Sequence, residues 1–224
     1  IAPDLAMAHT NLGISHLSMG NTKEAISHYK TAIKFHPNHA HGHYNLGIAL
    51  FTLGKIEKAI SHYQTAIKLK PDYAAAHNNL GLILEENGGT HEAISNYTTA
   101  IKLKPDYAAA HSNLGNTFVA LGKTNEAFYH YKTVVRLRPG FFPAHTNLGN
   151  ALFALGKTEE ALVHYKTVIE LNPDLALANS NLGIALFALG KTEEAVSHYK
   201  TAIRLRPDFA MAYTNLGNAL FALG

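Results

Sequence analysis

The chain has 224 residues, 47% of them hydrophobic and only 16% charged, with a formal net charge of +3 and no cysteine. The lack of cysteine excludes disulfides and thiolate metal sites, and the charge is too small for the clustered basic face that nucleic acid requires. No apolar run reaches the roughly 18 residues that membrane insertion needs.

Ile1-Ala2-Pro3 matches Leu69-Lys70-Pro71, so the chain is expected to open on the tail of a helix, with Pro3 as a stop. Asp4 follows Pro3 as Asp72 follows Pro71, which predicts a helix start capped by Asp. The first helix then carries Asn11-Leu12-Gly13, and that tripeptide returns at Asn45, Asn79, Asn113, Asn147, Asn181 and Asn215, always 34 residues on. A proline (Pro3 to Pro207) and a glycine (Gly20 to Gly224) keep the same period. Three markers at one period define a repeat protein whose structural unit is the repeat rather than a globular domain.

Within the unit that starts at Asp72, a helix A is predicted from Tyr73 to roughly Asn87. Gly88-Gly89 breaks it, and Thr90 is expected to cap a helix B that runs to about Lys104, before Pro105. Acids follow that break, as in Glu159-Glu160, and bases end helix B, as in Arg204 and Arg206, each sign where the helix dipole favours it. In the second unit, one face of helix B holds Ala59, Ile60, Tyr63, Ala66, Ile67 and Leu69. One face of helix A holds Ala40, His43, Leu46, Gly47, Leu50 and Leu53. Small residues at Gly47, Ala59 and Ala66 allow close helix crossing. A single such hairpin cannot bury its own face, so it must stack on its copies. In the fifth unit a second proline, Pro143, falls in the first turn of helix A, where its missing N–H costs little. The last stretch, Ala219 to Leu223, is apolar where a terminal cap would be polar, so a segment of a longer array, or ends that stack on a partner, is expected.

These residues resemble the tetratricopeptide repeat: in the fourth unit Leu114-Gly115, Gly122, Ala127, Tyr131, Val134 and Pro139 stand at the family's positions. The family's large residue three positions before that Leu is replaced by His9, His43, His77, His111 and His145, then Asn179 and Tyr213. The runs Ala76-His77-Asn78-Asn79-Leu80 and Ala110-His111-Ser112-Asn113-Leu114 are similar to the repeat arm of O-GlcNAc transferases. The resemblance implies an all-α, right-handed superhelical solenoid with helices A lining its inside. It would be a single array over residues 1–224, of about six full repeats and a seventh helix A.

Several motifs invite a site. Gly156-Lys157-Thr158 ends like a phosphate loop, but the glycine required five positions earlier is Ala151, and a helix precedes it. His36, His39, His41 and His43 have a spacing that suits zinc or nickel; the competing reading puts His43 in the periodic row and the others in a turn. His28, His62, His130, His164 and His198 recur on helix B, with Asn96 in their register, at the margin of its apolar face; packing explains them better than catalysis. Asn96-Tyr97-Thr98 is the one glycosylation sequon, and it falls mid-helix. No constellation of catalytic residues and no cofactor motif is present.

The asparagine row (Asn11, Asn45, Asn79, Asn113, Asn147, Asn181 and Asn215) is the strongest functional signal. It lies off the packed face of helix A, and amides offer both donors and acceptors to an extended backbone; the competing role is bridging neighbouring helices. In related arrays such asparagines hold peptide backbones, and the resemblance implies the same here. The family's carboxylate clamp is not expected, because the required lysines are Met7, His41, Ala75, Ala109, Pro143, Leu177 and Met211. Beside the asparagines, Ile48, Phe51, Phe153, Ile184 and Phe187 are expected to form an apolar stripe. The expected function is a non-enzymatic scaffold that binds extended protein segments in its groove. Two alternatives are a fibre subunit that assembles with copies of itself, given the near-identical units, and the substrate arm of a glycosyltransferase.

Overall fold

The computed structural model describes residues 3–224, and the expected helix tail at Ile1 and Ala2 lies outside them. The chain divides into two compact units, Ile1–Ala110 and His111–Gly224, with the boundary inside a helix. The first holds α1 (Pro3–Ser18), α2 (Thr22–Phe35), α3 (Ala40–Thr52), α4 (Ile56–Leu69), α5 (Ala74–Glu86), α6 (Thr90–Leu103) and the start of α7 (Ala108–Ala120). The second holds the rest of α7, α8 (Thr124–Leu137), α9 (Phe142–Ala154), α10 (Thr158–Leu171), α11 (Ala176–Ala188), α12 (Thr192–Leu205) and α13 (Ala210–Leu223). All regular structure among the described residues is helical. Odd-numbered helices are the A helices and even-numbered ones the B helices.

Each A helix ends on a glycine in the left-handed region. At Gly156 φ is +74°, its N–H bonds Phe153 O at 3.0 Å, and the N–H of Lys157 reaches Leu152 O at 2.9 Å. Two orphan carbonyls at the end of α9 are thus satisfied as the chain reverses into α10. The expected caps are displaced. Thr90 is the first helical residue of α6, behind Gly89, and Tyr73 rather than Asp72 precedes α5; neither helix has a side-chain cap bond. The turn is the reason: Tyr73 N–H bonds Lys70 O at 3.1 Å and Ala74 N–H bonds Asp72 O at 3.0 Å, which holds Asp72 one residue outside the cap position. Pro3 is the first residue of α1, a position where its missing N–H is no loss. Pro143 does lie in the first turn of α9.

One contact recurs in every complete helix pair. The tyrosine of helix B (Tyr29, Tyr63, Tyr97, Tyr131, Tyr165, Tyr199) is buried, and its ring edge fills the space that a Cβ would take on the glycine of helix A (Gly13, Gly47, Gly81, Gly115, Gly149, Gly183). Alanines at the crossing points, Ala59 and Ala161 among them, are fully buried and let the helix axes approach. In the first unit Tyr29, Leu46, Leu50, Tyr63 and Leu80 join one core. In the second, Tyr131, Leu148, Leu152, Tyr165, Leu186 and Tyr199 join another. Each ring contributes on the order of 150–250 Å² of burial, so glycine in helix A and tyrosine in helix B act as one packing element.

Candidate functional site

The asparagine row lies on the A helices, and its structural setting differs along the chain. In the first unit Asn11 is exposed and lines a hollow of about 250 Å³ with Met7, Thr10, Ile14, His39 and Asn45. The Asn45 amide donates back to His41 O at 2.9 Å. Asn79 donates to the hydroxyl of Tyr44, one repeat earlier, at 3.2 Å, and accepts from Asn78 at 3.2 Å.

In the second unit the row engages a second line of asparagines. Asn116 Oδ1 accepts from the Tyr131 hydroxyl at 2.8 Å and from Asn147 Nδ2 at 3.4 Å. Asn150 Oδ1 accepts from the Tyr165 hydroxyl at 2.9 Å and from Asn181 Nδ2 at 3.3 Å. The row therefore bridges successive A helices and is tied to the buried tyrosines, whose phenols burial pushes up to about 12 and keeps protonated as donors. These bonds spend one acceptor on Asn116 and Asn150 and one donor on Asn147 and Asn181. The amide nitrogens of Asn116 and Asn150 remain, on side chains exposed at the rim of a hollow of about 280 Å³ lined by Val119, Tyr131, Asn147, Ala151 and Ala154. Asn113 is half-buried, and so is Asn215, whose Nδ2 is buried without a partner among the described residues. Asn116 and Asn150 were not singled out from the sequence. Their signal was a departure from the repeat, since the same register holds Ile14, Ile48, Leu82 and Ile184, with asparagine again at Asn218.

The expected apolar stripe is largely taken up by packing. Ile48 and Phe51 lie partly buried against the first core, and Phe153 and Ile184 against the second, while Phe187 stays 37% exposed.

The histidines form pairs between helices A and B that the spacing alone did not reveal. Nδ1 meets Nδ1 at 3.0 Å in His9–His28, His43–His62 and His111–His130, and at 3.1 Å in His145–His164. Asparagine takes one place in His77–Asn96 and in Asn179–His198. His43 Nε2 faces Pro37 O at 3.1 Å and His145 Nε2 faces Pro139 O at 2.9 Å. A carbonyl only accepts, so Nε2 carries the proton on these rings and Nδ1 accepts from the helix-B histidine. Burial holds His62, His130, His164 and His198 below the usual histidine range, His130 at about 4. These hydrogen bonds join helix A to helix B within each pair.

The possible metal cluster does not converge. His39 Nε2 is bonded to Thr10 at 3.1 Å, His41 Nδ1 to Tyr73 at 2.9 Å, and His43 to His62 and Pro37. No group of three ligating side chains that could hold a metal ion occurs among the described residues. Burial, followed by the neighbouring histidines, lowers His39; burial, then Lys70, lowers His41. Asn96 lies in the middle of α6, its amide nitrogen donating to Glu92 O at 2.9 Å. No helix among the described residues is long and apolar enough to cross a membrane.

Stacked helix pairs, a glycine-tyrosine contact in each complete pair and asparagines on the A face define a helical repeat array. The TPR repeat pattern matches residues 15–54, 49–88, 90–122, 115–156, 149–190 and 185–224, and the chain belongs to the tetratricopeptide repeat family. PilF of Pseudomonas aeruginosa has a similar structure, with TM-score 0.84 and 20% identity over 96% of this chain and 98% of that one. YrrB, described as a TPR protein with an unusual peptide-binding site, has TM-score 0.76 and 24% identity over 83% of this chain and 96% of that one. MamA has TM-score 0.64 and 27% identity over 72% of this chain and 94% of that one. No curated protein matches the sequence.

Proposed function

We propose that this protein is a scaffold that holds extended protein segments against its A helices, with the asparagines as backbone clamps. The observation that carries the reading is the shared acceptor at Asn116 and at Asn150. A tyrosine hydroxyl and a neighbouring asparagine both bind its oxygen, which orients the remaining N–H groups toward the hollow before any ligand arrives. Preorganised donors cut the ordering cost of binding. The hollow, at about 280 Å³, is below the roughly 300–1,000 Å³ of small-molecule sites and suits a side chain of a longer segment whose backbone runs along the asparagines.

The test is selection of peptides from a random display library on the purified chain, then fluorescence anisotropy of the selected peptide with the Asn147→Ala/Asn181→Ala variant. Two lost hydrogen bonds of about 1 kcal/mol each predict a loss of affinity of roughly tenfold or more, with little change in melting temperature. Undiminished affinity would refute the reading. A large loss of stability would make the bridging of the A helices, and not ligand binding, the main role of the row.

A further inference from the structure

We infer a second docking surface on the opposite, B-helix side of the second unit, which takes an acidic protein segment bearing one large apolar anchor. The repeats are close copies, so a local departure from the pattern is informative. At the two positions after the crossing alanine the other B helices read Ile26-Ser27, Ile60-Ser61, Ile94-Ser95 and Val196-Ser197, whereas α8 has Phe128-Tyr129 and α10 has Leu162-Val163. Where the other copies place a serine, Tyr129 is 68% and Val163 62% exposed. Neither contributes to the core, and exposing them has no folding benefit.

Tyr129 lines a hollow of about 580 Å³, between α8 and α10, with Leu148 and Leu152 of α9 as its floor and Phe128 and Val135 in its wall. Its charged lining consists of Lys132, Arg136 and Glu160. Glu160 pairs with Lys157 at 3.7 Å on the exposed surface. Lys132 and Arg136 have no carboxylate within ion-pair distance among the described residues, and they stand one helical turn apart on the same face of α8. Lys132 and Lys157 lie 5.9 and 5.4 Å from the centre of the Phe128 ring, so that ring already sits in a cationic frame. His164, kept neutral by burial and by His145 against the opposing pull of Glu160, adds no further charge to the lining.

The chemistry that fits is an aromatic or aliphatic side chain in the hollow, flanked by carboxylates that reach Lys132 and Arg136. Two unpaired cations around an apolar floor are too few for a polyanion such as nucleic acid. Exposed Tyr129 lines the hollow itself, and exposed Val163 stands next to the lining residue His164 in α10, so an occupant that covers both must span two repeats. A protein segment is the occupant that uses all of it.

The probe is a fluorescein-labelled 12-residue peptide with a central Trp-Leu pair flanked by Asp and Glu. One comparison peptide replaces the acids by Lys, and another replaces Trp-Leu by Ser-Ser. Binding is read by anisotropy at low and at physiological salt. The acidic apolar peptide is expected to bind at least about tenfold more tightly than either comparison. The affinity should fall by about tenfold or more in Tyr129→Ser/Val163→Ser, which restores the residue of the other copies and therefore leaves folding intact. Lys132→Gln/Arg136→Gln should weaken binding and flatten its salt dependence. The Asn147→Ala/Asn181→Ala variant should bind the probe as the parent does, which separates this surface from the A face. The inference is overturned if the three peptides bind alike, if the serine variant retains full affinity, or if the asparagine variant loses it. It is equally overturned if dodecanoate saturates the hollow while the acidic peptide fails to bind.

Discussion

Gly149 and Gly217 occupy the same register of helix A, yet a methyl group added to each should act in opposite directions. At Gly149 the new Cβ would lie 2.7 Å from Tyr165 Cε1, 3.0 Å from Cδ1 and 3.2 Å from Cζ. The ring cannot withdraw, because it is 3% exposed, part of the core, and held by its hydroxyl to Asn150 at 2.9 Å. Overpacking of this kind costs about 1–3 kcal/mol. At Gly217 the Cβ would meet nothing within 4 Å. Both substitutions gain about 1 kcal/mol of helix propensity, which cancels on subtraction, so the difference between the two variants is the clash alone. With roughly 2–4 °C of melting temperature per kcal/mol in a chain of this length, Gly149→Ala should melt about 2–12 °C below Gly217→Ala. Gly217→Ala itself should equal or exceed the parent. Thermal unfolding followed by far-UV circular dichroism measures both. Equal melting temperatures would show that the tyrosine does not need the glycine, and the proposed packing element would be wrong.

Two further outcomes follow from the same contacts. Tyr131→Phe removes a hydroxyl bonded to Asn116 and should cost about 1 kcal/mol in urea unfolding. Tyr29→Phe removes a buried hydroxyl with no partner among the described residues and should be neutral or stabilising; a loss as large as that at Tyr131 would contradict this. The histidine pairs predict pH dependence. His130 is pushed down to about 4 by burial and then by His111, whereas the unfolded chain takes up the proton near 6.5. Its contribution is therefore present above about pH 6.5 and lost progressively as pH falls toward about 4. The melting temperature should drop across that window, and less steeply in His130→Asn, because Asn96 fills the same register beside His77. Parallel pH profiles of parent and variant would exclude His130 as a contributor.

The repeat, its two helices and their boundaries were legible because glycine and proline punctuate every 34 residues with 3.6-residue periodicity between. Contacts between the helices were less so. The sequence displays the Gly149 and Tyr165 rows at one period, but only the folded hairpin shows that one fills the space the other leaves. The same holds for His43 and His62, two rows whose meeting depends on how α3 crosses α4. Asp72 reads as a cap because its type favours that role, yet the backbone bonds of the preceding turn decide which residue stands at the helix entrance. The stripe through Ile48 and Phe51 reads as exposed when one helix is considered alone, and the neighbouring repeat buries part of it.

In an array of near-copies, the residues that every unit shares serve the stacking, since each unit must meet the next in the same way. Specificity then resides where copies differ without a packing reason. On the A face of the second unit that criterion selects Asn116 and Asn150, polar where four other units carry Ile14, Ile48, Leu82 and Ile184, each drawing a buried tyrosine and a neighbouring asparagine into one hydrogen-bonded set; Asn218 holds the same register in α13. On the B side it selects Tyr129 and Val163, exposed where other B helices carry serine. The two departures have opposite chemistry, amide donors on one side and hydrocarbon framed by cations on the other. Under the two proposals a ligand suited to one surface is unsuited to the other, and the same two helix pairs would hold two different segments at once without competition. Simultaneous binding of an A-face peptide and the acidic probe, each with its affinity unchanged by saturation with the other, is the expected result; displacement of one by the other would reduce the two surfaces to one.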